Sequence, residues 1–159
     1  MNFFTMQKLI VSIGLPGSGK TTWARNFIRN RKNWRLVSND DVRVLLSGSN
    51  TYNSKLSPVV YQTAILYTRS LLKSGYNVIL DGTYVEKELW KAIAEKCSKH
   101  SHVYAKVFDI TPYQARILGK FRAQKEKREI IPFHVLEQKW TELQKNKNLL
   151  PLYFKPLAF

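Results

Sequence analysis

The chain has 159 residues, 26 of them Lys or Arg and 11 Asp or Glu, a formal charge of +15 with a pI near 10.0. Hydrophobic residues make up 44% and aromatics 13%, enough for a core burying roughly 70% of the unfolded surface, which excludes disorder for the bulk of the chain. The charge excess points to a polyanion, nucleic acid before an anionic membrane surface, and a single cysteine, Cys97, excludes an internal disulfide and fits a reducing compartment.

The length predicts one domain over residues 1–159. The first residues carry no basic head and no small-residue cleavage site, so no secretory leader is expected. No apolar run approaches the ~20 residues of a membrane span, and a cytoplasmic protein with no membrane partner is expected.

In chain order, LIVSIG (9–14) reads as a strand buried on both faces, and a helix follows from Lys20 to about Arg31. WRLVS (34–38) is a second strand, residues 40–47 a helix and GSNTYNSKLS (48–57) a turn-rich loop. The next helix is capped by Ser57, carries Pro58 in its first turn and stops at Gly75. NVILDGT (77–83) is a third strand, 86–99 an amphipathic helix and HVYAKVFDI (102–110) a fourth strand. Pro112 opens a basic helix, EKREII (126–131) interrupts it, and Pro132 opens another to about Lys147. The apolar tail, 149–159, packs back on the body or contacts a second subunit. Alternation of strand and helix predicts an α/β fold, a parallel sheet with helices on both faces.

Gly14-Leu15-Pro16-Gly17-Ser18-Gly19-Lys20-Thr21 has the spacing G-x-x-x-x-G-K-[ST] between the first strand and the first helix. Glycines let the backbone wrap phosphate oxygens and aim N–H groups at them, with a helix N-terminus behind. Lys20 is placed to reach the β- and γ-phosphates and the Thr21 hydroxyl to bind Mg²⁺, so ATP with Mg²⁺ is the expected donor.

The second strand ends in Ser38-Asn39-Asp40-Asp41-Val42-Arg43. Strand carboxyl ends in a parallel sheet face the same crevice as the phosphate loop. A carboxylate there accepts the proton of an attacking hydroxyl, and an arginine one helical turn on holds a substrate phosphate. Ser38 and Asp41 also have capping-box spacing, which leaves Asp40 for chemistry. Asp81 ends the third strand, where it holds the metal through water, orients Arg43 or simply closes a turn. Arg116, Lys120, Arg122, Lys125, Lys127 and Arg128 form either a lid over the crevice, about 113–131, or a solvated helix face. Tyr52 and Tyr84 lie in loops, for stacking on a base or for packing.

The segments IGLPGSGKTTWARNFI (13–28), SNDDVR (38–43), VILDGT (78–83), KVFDIT (106–111) and IIPFHVL (130–136) resemble, in order, the kinase domain of bacteriophage polynucleotide 5′-kinases among the small P-loop kinases. The resemblance covers about 8–147 and implies a four-stranded parallel sheet under a helical lid. It also implies transfer of the ATP γ-phosphate to the 5′-hydroxyl of a DNA or RNA end, in the host cytoplasm if a phage encodes the chain. By position it makes Asp40 the general base, Arg43 a ligand of the acceptor phosphate and Asp81 a supporting acid. The family's lid arginine falls on Glu126 here, so the clamp on the donor phosphates passes to Arg122 or Arg128, or is lost.

The expected donor site is then Gly14, Pro16, Gly17, Ser18, Gly19, Lys20, Thr21 and Thr22 with Arg122 and Arg128. The acceptor site is Asp40, Arg43, Asp81, Thr83, Ile131 and Pro132, and Lys20, Asp40 and Arg122 carry the chemistry. The alternatives are a kinase of a small hydroxyl metabolite, which has no need of +15, and a non-catalytic ATP-binding module for nucleic acid. Self-association through the tail accompanies its second packing mode.

Overall fold

The computed structural model describes residues 5–157. Five parallel strands, β1 (Gln7–Gly14), β2 (Trp34–Ser38), β3 (Asn77–Asp81), β4 (Ser101–Phe108) and β5 (Lys155–Pro156), lie in the order β2-β3-β1-β4-β5. The helices are α1 (Lys20–Ile28), α2 (Asn39–Ser47), α3 (Ser57–Lys73), α4 (Lys87–Cys97), α5 (Pro112–Glu126) and α6 (Phe133–Asn146). Four long strands match the sequence expectation; the fifth, two residues long, comes from the tail.

Alternate β1 side chains serve opposite faces, as a period of two requires. Leu9, Val11 and Ile13 join Val78 and Leu80 under α3, α4 and α6, while Ile10 joins Ile79 beneath Ala24, Trp23 and Phe27 of α1. The central strands are therefore apolar on both sides. α3 presents Val60, Ala64, Ile65, Thr68 and Leu72 as one buried stripe. It ends as the glycine predicts: Gly75 takes φ 89°, its N–H donates to Leu72 O, and Tyr76 N–H donates to Leu71 O, the paired bonds of a Schellman stop.

Two expected caps differ. Ser57 is the first residue of α3, not its cap; Asn53 organises the turn, its Oδ1 accepting from the N–H groups of Lys55 and Leu56 and its backbone O from the Ser57 hydroxyl. Ser38 has the extended backbone of an N-cap but makes no side-chain capping bond, and Asp41 is exposed. Pairing of Ser38 with Asp81 across β2 and β3 sets that turn instead. Thr111 and Gln114 form a reciprocal capping box that starts α5.

The tail packs back. A 3₁₀ turn, Lys147–Leu152, delivers Phe154 to the core, 4% exposed, edge-on to Trp90 at 6.3 Å; Ala158 and Phe159 lie outside the described residues. Truncating Phe154→Ala is expected to cost about 3–5 kcal/mol in urea unfolding. Leu152→Ala, at 76% exposure, is expected to cost under about 0.5 kcal/mol.

Candidate functional site

Residues 14–19 turn tightly between β1 and α1, directly under α5. Gly17 has φ 82°, and a Cβ there would stand 2.9 Å from Ala115 O and 3.4 Å from the Gly119 backbone. It is glycine both for its left-handed backbone and for the close approach of α5. Gly19 has φ 88° with open space where a Cβ would go, so backbone conformation alone demands glycine there. Thr83 O accepts from Gly14 N–H and braces the loop from the β3 side.

Lys20 curls back into this loop, its ammonium donating to Gly14 O (3.0 Å), Leu15 O (2.6 Å) and Ser18 Oγ (3.2 Å). Burial lowers its pKa from the ordinary 10.5 to about 8, with Asp81 and Asp40 pulling it up and Arg122 pushing it down.

Strand register aligns Ser12, Asp81 and Ser38 in one row across β1, β3 and β2. Asp81 is 3% exposed; its Oδ1 accepts from Ser12 Oγ at 2.8 Å and its Oδ2 from Thr21 Oγ1 at 2.6 Å. A hydroxyl at the start of α1 held by an acid at the end of β3 is the donor set a hard cation such as Mg²⁺ takes in a phosphate-binding loop, usually keeping several waters.

In the first turn of α2, just past the end of β2, Asp40 Oδ1 accepts from Arg43 at 2.8 Å and Oδ2 from Arg128 at 3.0 Å. The Arg43 Nε is buried without an acceptor among the described residues, which ordinarily costs about 1–3 kcal/mol. With its amide turned to satisfy both groups, Asn50 Oδ1 accepts from both terminal nitrogens of Arg128. Glu126 Oε2 accepts from Nε of Arg128 (2.8 Å) and of Arg122 (3.0 Å).

The structure thus brings Lys20, Thr21, Asp81, Asp40, Arg43, Arg122 and Arg128 to one end of the sheet. Pro16, Gly17 and Ser18 lie in the loop; Thr22 is exposed on α1. Ile131 packs with Leu15, Ala115 and Leu136, and Pro132, exposed, precedes α6. Tyr84 is not available for stacking: it is fully buried, with φ 42°, and its hydroxyl donates to Asn39 Oδ1. Tyr52 is 66% exposed. Sequence reading passed over Ser12, whose signal was a lone hydroxyl inside the apolar run LIVSIG.

A family model described as "AAA domain" matches residues 9–148. The chain belongs to the AAA domain family. A chain in a solved structure of the Pnkp1/Rnl/Hen1 RNA repair complex superposes on this AAA domain with a TM-score of 0.81 at 28% identity, over 93% of this chain and 47% of that one. Another structure of the Pnkp1/Rnl/Hen1 complex gives a TM-score of 0.61 at 30% identity, over 69% of this chain and 38% of that one. An uncharacterized protein of Mycobacterium tuberculosis is 34% identical over 101 residues, 56% of this chain and 20% of that one. The domain therefore spans about a fifth of that curated relative and under half of the chains in the repair complexes. The fold is that of P-loop kinases, and the loop is a nucleotide-binding one. Among the described residues no helix is long and apolar enough to cross a membrane.

The buried ammonium sets a pH signature. Between about 8 and 10.5 the folded chain binds fewer protons at Lys20 than the unfolded chain, so this group's contribution to stability rises with pH across that window. Below about 8 both states are protonated and its penalty is constant. Phosphate at Lys20 raises the pKa again, so ATP binding at about pH 9 is expected to take up protons. Calorimetry in buffers of different ionisation enthalpy measures this, and Lys20→Ala is expected to abolish the uptake.

Proposed function

We propose that the domain is an ATP- and Mg²⁺-dependent kinase of polynucleotide 5′-hydroxyl ends. The observation that carries the acceptor side is Asp40, held by Arg43 at 2.8 Å and within electrostatic reach of Lys20. An acid for a hydroxyl proton stands beside an arginine suited to a substrate phosphate. Polynucleotide acceptors are supported by the +15 charge and by likeness to chains of an RNA repair complex.

Lys20 and the loop amides hold the β- and γ-phosphates. Thr21, with Asp81 behind it, holds Mg²⁺; the ion supplies neutralising charge to the phosphates when bound. Arg43, beside Asp40, takes the acceptor's phosphate on its guanidinium and so aligns the terminal sugar. Asp40 accepts the 5′-hydroxyl proton as that oxygen bonds to the γ-phosphorus and the bond to the ADP oxygen breaks. Arg122, with α5 as a lid, stabilises the charge spreading over the moving phosphoryl group and excludes water.

Incubation with γ-labelled ATP and 5′-hydroxyl DNA or RNA oligonucleotides tests this. Wild type is expected to label the oligonucleotide and Asp40→Asn to label it about 10²–10⁴-fold more slowly. Labelling of a nucleoside, sugar or antibiotic in place of oligonucleotide would establish the small-metabolite alternative. Binding of both ligands without transfer would establish the non-catalytic one.

A further inference from the structure

Five side chains of alternating charge line the site: Arg43, Asp40, Arg128, Glu126 and Arg122, each joined to the next by a bond of 2.8 or 3.0 Å. Glu126 enters through one atom, Oε2, which takes the Nε of both neighbouring arginines. A bond at Nε fixes the plane of a guanidinium and leaves its terminal nitrogens for other acceptors. Arg128 uses one of them on Asp40, the acceptor side.

Positions 115, 119 and 122 share a face of α5, and the first two meet the phosphate loop at Gly17. The backbone helps to bring Arg128 round: Lys127 takes a left-handed φ of 50°, and Arg128 N–H donates to Ala123 O at 3.2 Å. A left-handed conformation costs a non-glycine residue roughly 1–2 kcal/mol.

We propose that Glu126 is a positioning residue that holds Arg122 on the donor phosphates and Arg128 on the acceptor end, coupling the two halves of the site. This rests on the polynucleotide kinase reading above. A plain helix-stabilising pair is the ordinary explanation of Arg122 and Glu126, four residues apart. That explanation does not involve Arg128, which lies beyond the helix and reaches both Glu126 and Asp40. The lid's clamp is then divided between two arginines, with an acid at the position between them.

Three variants separate the roles, read by the Kd of a fluorescent non-hydrolysable ATP analogue and the KM for a 5′-hydroxyl oligonucleotide. Arg122→Ala is expected to weaken the analogue about tenfold and leave the oligonucleotide KM within about threefold; Arg128→Ala is expected to do the reverse. Glu126→Gln is expected to raise both constants about threefold to tenfold, with Tm within about 2 °C of wild type. A Glu126→Gln protein in which only one constant moves, or neither, or only Tm falls, overturns the inference while leaving the kinase reading intact. A wild-type protein that binds the analogue but labels no oligonucleotide overturns the polynucleotide reading, and the acceptor half of this inference with it.

Discussion

A carboxylate that is 3% exposed needs partners for both oxygens, because an ionised group without them is far too costly to bury. Asp81 finds those partners on two different elements, Ser12 of β1 and Thr21 of α1. Satisfying one acid therefore ties the end of β3 to the central strand and to the first turn of the helix that follows the phosphate loop. The loop between Ser12 and Thr21 is pinned at both ends by a single side chain. Its Gly14 N–H is bound from the β3 side as well, by Thr83 O. The conformation of the cradle thus depends on a buried charge outside it.

The groups proposed to meet substrate already have internal partners. Lys20 donates to the loop's own carbonyls, and Asp40 is bonded by two arginines. Binding exchanges these bonds for new ones, so only the difference between the two sets contributes to affinity. Among the described residues Arg43 Nε is buried with no acceptor, a standing penalty.

Much of the fold could be read because the local signals are strong and point the same way. The spacing of glycines and Lys20 announces the cradle, VILD announces a buried strand ending in an acid, and Gly75 marks the end of α3. Capping was less legible at Ser57 and Ser38, since a hydroxyl at a helix start is a cap only if the incoming chain aims it there. At Ser57 the turn is held by Asn53, and at Ser38 by strand pairing with Asp81. Of the two readings open for Tyr84, packing is the one the structure takes: Asn39 Oδ1 offers a buried acceptor for its hydroxyl, with Tyr61 edge-on to its ring at 5.2 Å. The role of Ser12 was hidden because one hydroxyl in an apolar run has no meaning until its neighbour on the next strand is known.

From the sequence alone come the class of fold, the phosphate loop, the acids at two strand ends and a charge concentrated in two stretches. Residues 20–43 hold seven basic and two acidic groups, and residues 113–147 hold nine and four, a surplus of five in each. These follow from local chemistry: backbone conformation, side-chain period and composition act over a few residues. Only the tertiary structure decided which charges face one another. Arg128 lies 88 positions from Asp40, and nothing local says that it, rather than Arg122, meets that acid. Their pairing depends on how α5 crosses Gly17, on the left-handed turn at Lys127 and on the carboxylate of Glu126. A basic stretch thereby becomes two arginines with separate positions, since an ion pair between distant residues is set by the packing of the elements that carry them.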